Sequence, residues 1–102
     1  MQTIVYGMLQ EEKQRNLETQ ETYRHEIMSL PKGSVVVKKI SGNDYYYLKY
    51  RQDNKIKTDY LGRDKKKVEC VKRKIEKRKH LQDVLKRLRM EYKQICKIVK
   101  DS

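Results

Sequence analysis

The sequence predicts an α+β fold: a long N-terminal helix, a three-stranded antiparallel β-meander and a long C-terminal helix, with the helices packed as an antiparallel or dimeric coiled coil. Three observations predict it. Residues 4–30 are rich in Glu, Gln, Lys, Arg and Leu and contain no proline. Between residues 35 and 61, three β-branched or aromatic runs are separated by two short Gly/Asn/Asp turns. From Lys65 to about Lys100 there is neither Gly nor Pro, and apolar residues recur at helical spacing.

In the first helix, read over residues 1–30, Val5, Leu9, Tyr23, Ile27 and Leu30 lie on one ladder of 4- and 3-residue steps, but Glu12, Asn16 and Thr19 occupy its middle rungs. Apolar contact therefore holds this helix only at its ends, unless the polar middle pairs with a partner helix. Pro31 ends it, because proline disfavours helical geometry at Leu30 and lacks an N–H. Gly33 opens a turn.

The sheet, read over residues 34–62, divides into Val35 to Ile40, Tyr45 to Arg51 and Lys55 to Leu61, with Ser41-Gly42-Asn43-Asp44 and Gln52-Asp53-Asn54 as turns. Alternation sets Tyr46, Leu48 and Tyr50 on one face and Tyr45, Tyr47, Lys49 and Arg51 on the other. By polarity the third strand sorts Ile56, Thr58 and Tyr60 with the apolar face, and Lys55, Lys57 and Asp59 with the basic one. The first strand carries apolar residues at both parities, Val35 and Val37 against Val36 and Ile40, so either face can claim it.

Asp64 fits an N-cap for the last helix, read over residues 64–100. Val68, Val71 and Ile75 form a first stripe, and Leu81, Leu85, Leu88, Tyr92, Ile95 and Val99 a second with heptad spacing. About 36 residues at 1.5 Å each reach roughly 54 Å, whereas a six-residue strand spans about 20 Å. The C-terminal half must then pack on the first helix, antiparallel, or on the same helix of a second copy, which would make a homodimer.

The 102 residues have room for one small domain, 1–102. With 36% hydrophobic residues, no Trp or Phe and 8 Tyr, any core is thin and partly polar, which disfavours a multi-pocket metabolic enzyme. No apolar run reaches the ~20 residues of a membrane span, and the N-terminus lacks the basic-then-apolar order of a signal peptide. A soluble, cytoplasmic protein is expected. Cys70 and Cys96 stand apart without a CxxC partner, His25 and His80 are isolated, and the four glycines are single. No catalytic residue, metal or cofactor is expected.

The charge, 26 Lys+Arg against 14 Asp+Glu, is unevenly spread: residues 1–30 carry −2, residues 31–62 carry +4 and residues 63–102 carry +10. From Arg63 to Lys79 there are 10 basic and 3 acidic residues, so the excess cannot be neutralised within the helix. A field of that density attracts nucleic acid first. The candidate binding residues are Tyr45, Tyr47, Lys49, Arg51, Lys55 and Lys57 on the sheet and Lys65, Lys66, Lys67, Lys72, Arg73, Lys74, Lys77, Arg78 and Lys79 on the helix. Lysines would supply phosphate contacts, while Tyr47, Lys49 and Arg51 could reach base edges or stack on unpaired bases. The tyrosines at 46, 50 and 60 are read as packing residues.

The segments Leu30-Pro31-Lys32-Gly33-Ser34, Tyr45-Tyr46-Tyr47-Leu48-Lys49-Tyr50-Arg51 and Tyr60-Leu61-Gly62 resemble short bacterial proteins associated with mobile elements. They are also similar to the three-stranded arm-type DNA-binding domain of tyrosine recombinases. That resemblance covers about residues 30–64 and implies a sheet that meets the DNA major groove. The remaining length has no room for a recombinase catalytic domain, so the resemblance implies DNA contact and not strand cleavage. The expected function is a small basic nucleic-acid-binding protein, DNA before RNA, serving as an accessory or regulatory factor of a mobile element or phage. Two alternatives stand beside it: an anti-CRISPR-type inhibitor that binds a host protein or ribonucleoprotein, and a coiled-coil adaptor built on the Leu81 to Val99 seam.

Overall fold

The computed structural model describes residues 3–100. Helix α1 (Ile4–Met28) is followed by strands β1 (Ser34–Ile40), β2 (Asn43–Gln52) and β3 (Lys55–Gly62) and by helix α2 (Lys65–Lys100). The sheet is antiparallel in the order β1-β2-β3, so helix, meander and helix stand where the sequence sets them. No helix among the described residues is long and apolar enough to cross a membrane.

The residues group into two compact units, one comprising the chain up to Ser29 and from His80 onward, the other Leu30–Lys79. Helix α2 contributes to both.

In the helical unit, Thr3 caps α1 by accepting a 3.1 Å bond from the Tyr6 N–H at Oγ1. The far end closes at Ser29, whose N–H and hydroxyl both donate to the Glu26 carbonyl, at 3.1 and 2.7 Å. α1 runs antiparallel to the C-terminal half of α2. Lys13 lies 5.9 Å from the Tyr92 ring, Asn16 reaches Leu88, and Ile27 lines a cavity with Gln82 and Leu85. The second stripe faces α1: Leu81, Leu85 and Val99 are buried, and Leu88, Tyr92 and Ile95 are half-buried. The middle of α1 contributes polar groups to this seam, since Asn16 and Gln20 are only 3% and 5% exposed.

In the sheet unit, both hairpins close with two-residue loops. Ile40 pairs with Asn43 across Ser41-Gly42, and Gln52 pairs with Lys55 across Asp53-Asn54. All four loop residues have positive φ, at 53°, 80°, 51° and 62°, the type I′ pattern that matches strand twist. Gly33, at φ 108°, precedes β1 where a side chain would meet the Lys49 carbonyl and come within 2.8 Å of the Tyr50 Cβ. Only glycine fits there.

The register settles the faces. β1 pairs Val35 with Leu48 and Val37 with Tyr46, so these four share a face, and Val36, Lys38 and Ile40 lie on the other with Tyr45 and Tyr47. Tyr46 and Val35 line cavities with Val68, Lys72 and Ile75 of α2, which identifies the helix-covered face. Val68 and Ile75 are buried and Val71 half-buried against it. Asp64 caps α2, accepting the Lys66 N–H at 2.9 Å. This cap stands in for the acidic residues that the first turn lacks and the helix dipole favours.

The expected faces of β3 are corrected. Tyr47 pairs with Tyr60, Lys49 with Thr58 and Arg51 with Ile56, whereas Leu48 pairs with Asp59 and Tyr50 with Lys57. Ile56, Thr58 and Tyr60 therefore share the face of Tyr47, Lys49 and Arg51. Lys55, Lys57 and Asp59 lie on the opposite face. Taking Gln52-Asp53-Asn54 as a three-residue turn slips the register by one, and a one-residue slip exchanges the faces of a strand.

Candidate nucleic-acid interface

The sheet face turned away from α2 brings together Val36, Lys38 and Ile40 of β1, Tyr45, Tyr47, Lys49 and Arg51 of β2, and Ile56, Thr58 and Tyr60 of β3. Within the sheet unit no element covers it. Lys49 and Arg51 are exposed, and Tyr60 is 56% exposed.

Tyr60 is the hub of this face, not the packing residue expected of it. Its ring centroid lies 5.2 Å from that of Tyr47 and 6.4 Å from that of Tyr45, tilted by 52° and 39°, within the range of attractive aromatic pairs. Two cations rest on the outer members of this trio. Lys38 Nζ is 4.8 Å from the Tyr47 centroid, and the Arg63 guanidinium is 5.6 Å from that of Tyr45. Arg63 also donates from Nη2 to Asn43 Oδ1 at 3.0 Å.

Lys38, Tyr60 and Arg63 thus join the candidate residues of this face, and sequence reasoning missed them. The register is the signal that finds them: Lys38 stands opposite Tyr45 and Tyr60 opposite Tyr47. Arg63 follows immediately after the Gly62 that ends β3.

The strand carboxylates are segregated from this face. Asp44 and Asp59 have the parity of Tyr46 and Leu48, on the helix side. There Asp59 pushes the Tyr50 pKa above the ordinary 10.0, first by favouring the protonated hydroxyl as a hydrogen-bond donor and then, with burial, by repelling the phenolate. The open face keeps Lys38, Lys49, Arg51 and Arg63 with no acidic residue among them.

The expected helix contacts do not join this surface. At 100° per residue, Lys66 and Arg73 fall on the side of α2 opposite Val68 and Ile75, the residues buried against the sheet. The sheet therefore separates them from Tyr45 and Tyr47. Lys67, Lys74 and Lys77 are exposed on α2 as well. Lys65 and Lys72 line the cavity beside Tyr46, and Lys72 and Lys79 each approach a glutamate, Glu69 and Glu76, at 3.6 Å. Arg78 is half-buried and donates from Nη1 to the Leu30 carbonyl at 2.6 Å, fixing the chain just before Pro31.

Outside the sheet, His25 pairs with Glu21 at 3.1 Å on the surface of α1. Arg24 beside it, then His25, hold the Glu21 carboxyl below its usual range. Cys70 and Cys96 are free thiols. Among the described residues, no group of three His, Cys, Asp or Glu is arranged to hold a metal ion.

Residues 8–70 match the model of a family described as a domain of unknown function, DUF6788. The match spans α1, the sheet and the start of α2. No curated protein and no solved structure matches the chain. Since the matched residues make up more than half of its length, the chain belongs to the DUF6788 family.

Proposed function

We propose that this member of the DUF6788 family binds DNA through the open face of its three-stranded sheet. The observation that carries the reading is the sorting of charge across that sheet. Lys38, Lys49, Arg51 and Arg63 lie on the uncovered face around Tyr45, Tyr47 and Tyr60, while Asp44 and Asp59 lie on the other. Such a surface is complementary to a phosphate backbone.

Shape supports duplex DNA over duplex RNA. Three strands set roughly 4.8 Å apart make a ribbon about 10 Å across, which suits a B-form major groove about 12 Å wide. The deep, narrow major groove of A-form RNA does not admit side chains. Lys49 and Arg51, exposed along β2 and without a ring partner among the described residues, would be the ones to reach base edges. The cations of α2 add long-range attraction from outside this face.

The test is fluorescence anisotropy of a labelled duplex titrated with the protein at several salt concentrations. Affinity should fall as salt rises, with a negative log–log slope of about 0.9 for each phosphate contacted. Absence of binding at low salt overturns the proposal.

A further inference from the structure

We propose that Lys38 and Arg63 are the phosphate contacts of the sheet face, preorganised on the rings of Tyr47 and Tyr45, and that Tyr60 is the positioning residue for both. The proposal rests on the DNA reading above and assigns roles within it.

The two cations differ from the others of this face in being anchored. Lys38 is held over Tyr47 and Arg63 over Tyr45, with a second anchor for Arg63 at Asn43 Oδ1. Lys49 and Arg51 have no such ring partner among the described residues. A free lysine or arginine loses side-chain freedom when it binds, and one already held loses less.

Both anchors leave donors to spare. A lysine ammonium over a ring keeps its three N–H groups, and of the five guanidinium N–H groups of Arg63 only one is given to Asn43. The guanidinium fork suits a phosphate in particular. Tyr45 and Tyr47 are alternate residues of β2, so their Cα atoms stand about 6.7 Å apart along the strand. The cations on them therefore present a spaced pair of positive charges on one face.

The rings themselves are occupied. Tyr45 and Tyr47 each carry a cation and each lie against Tyr60 at a tilt. They are a platform for Lys38 and Arg63, and not open surfaces for base stacking. Tyr60 lies against both rings, while among the described residues the cation–ring pairs are made by Tyr47 and Tyr45, so its influence on binding runs through them.

Salt titrations of Lys38→Gln, Arg63→Gln and their double variant against duplex DNA test the assignment, with Lys57→Gln on the opposite face as control. Each of the two single substitutions is expected to reduce the log–log slope by about 0.9, and the double by about 1.8. The control leaves the slope unchanged. Tyr60→Ala is expected to lower the slope toward that of the double variant while Tyr60→Phe preserves it, with far-ultraviolet circular dichroism confirming that both variants are folded. Wild-type binding with an unchanged slope for Lys38→Gln and Arg63→Gln overturns the phosphate assignment alone. An unchanged slope for folded Tyr60→Ala overturns the positioning role. No binding by the wild type overturns the DNA reading itself, and this assignment with it.

Discussion

The side-chain amide of Asn16 donates a 3.0 Å hydrogen bond to the main-chain carbonyl of Leu88, joining α1 to α2 at the centre of their contact. Asn16 Oδ1 in turn accepts a 2.7 Å bond from the Gln20 side chain. Both residues are buried, so the pair occupies the positions where an apolar seam would continue. A polar group at such a position fixes the register of two helices at some cost in stability.

Replacing Asn16 by Ala removes the acceptor of Gln20 and leaves a buried amide unpaired. Urea denaturation should show a loss of about 1–3 kcal/mol. The double variant Asn16→Leu/Gln20→Leu removes both polar partners and fills the seam, and should recover most of that loss. Equal destabilisation by the two variants would contradict this account.

Gly33 has the least room around it of the glycines of the sheet unit. Its φ of 108° and the proximity of the Lys49 carbonyl and the Tyr50 Cβ leave no place for a methyl group. Gly33→Ala should cost more than about 1 kcal/mol in the same assay. Gly7→Ala, within α1 and with nothing within 4 Å of the added carbon, should stabilise the protein by about 0.5–1 kcal/mol through helix propensity.

The influence of Asp59 on the Tyr50 hydroxyl gives stability an alkaline limit. Because it raises the folded pKa of Tyr50 above the ordinary 10.0, its contribution is fully present below pH 10 and is lost as the pH rises through the folded value. Asp59→Asn should therefore bring the ionisation of Tyr50 down, as read by ultraviolet absorbance with Tyr50→Phe identifying the signal. An unshifted titration would show that Asp59 does not act on Tyr50.

The elements were legible because their ends are chemically marked: Thr3 and Asp64 as caps, Pro31 after α1, and Ser41-Gly42 and Asp53-Asn54 as hairpin loops. The apolar stripe from Leu81 to Val99 was legible from its spacing, while the polar rungs of α1 left open whether a helix meets them at Asn16. What polarity could not give was the register of β3. Ile56 and Tyr60 look like core residues, yet 59% and 56% of their surfaces are exposed on the basic face, because the two-residue loop at Asp53-Asn54 sets their parity. The same limit applies to α2. Charge density marks Lys65 to Lys79 as a single basic stretch, while packing divides it into outward cations, cations beside glutamates, and an Arg78 committed to the Leu30 carbonyl.

The most direct test of DNA binding by the open sheet face compares two charge-matched double variants. Lys49→Glu/Arg51→Glu alters the tyrosine face, and Lys66→Glu/Arg73→Glu makes the same change in net charge on the side of α2 turned away from the sheet. Duplex affinity at one fixed salt concentration is the readout. The sheet variant should lose binding to an extent that the helix variant does not approach. Equal losses, or a larger loss for the helix variant, would contradict the assignment of DNA contact to this face.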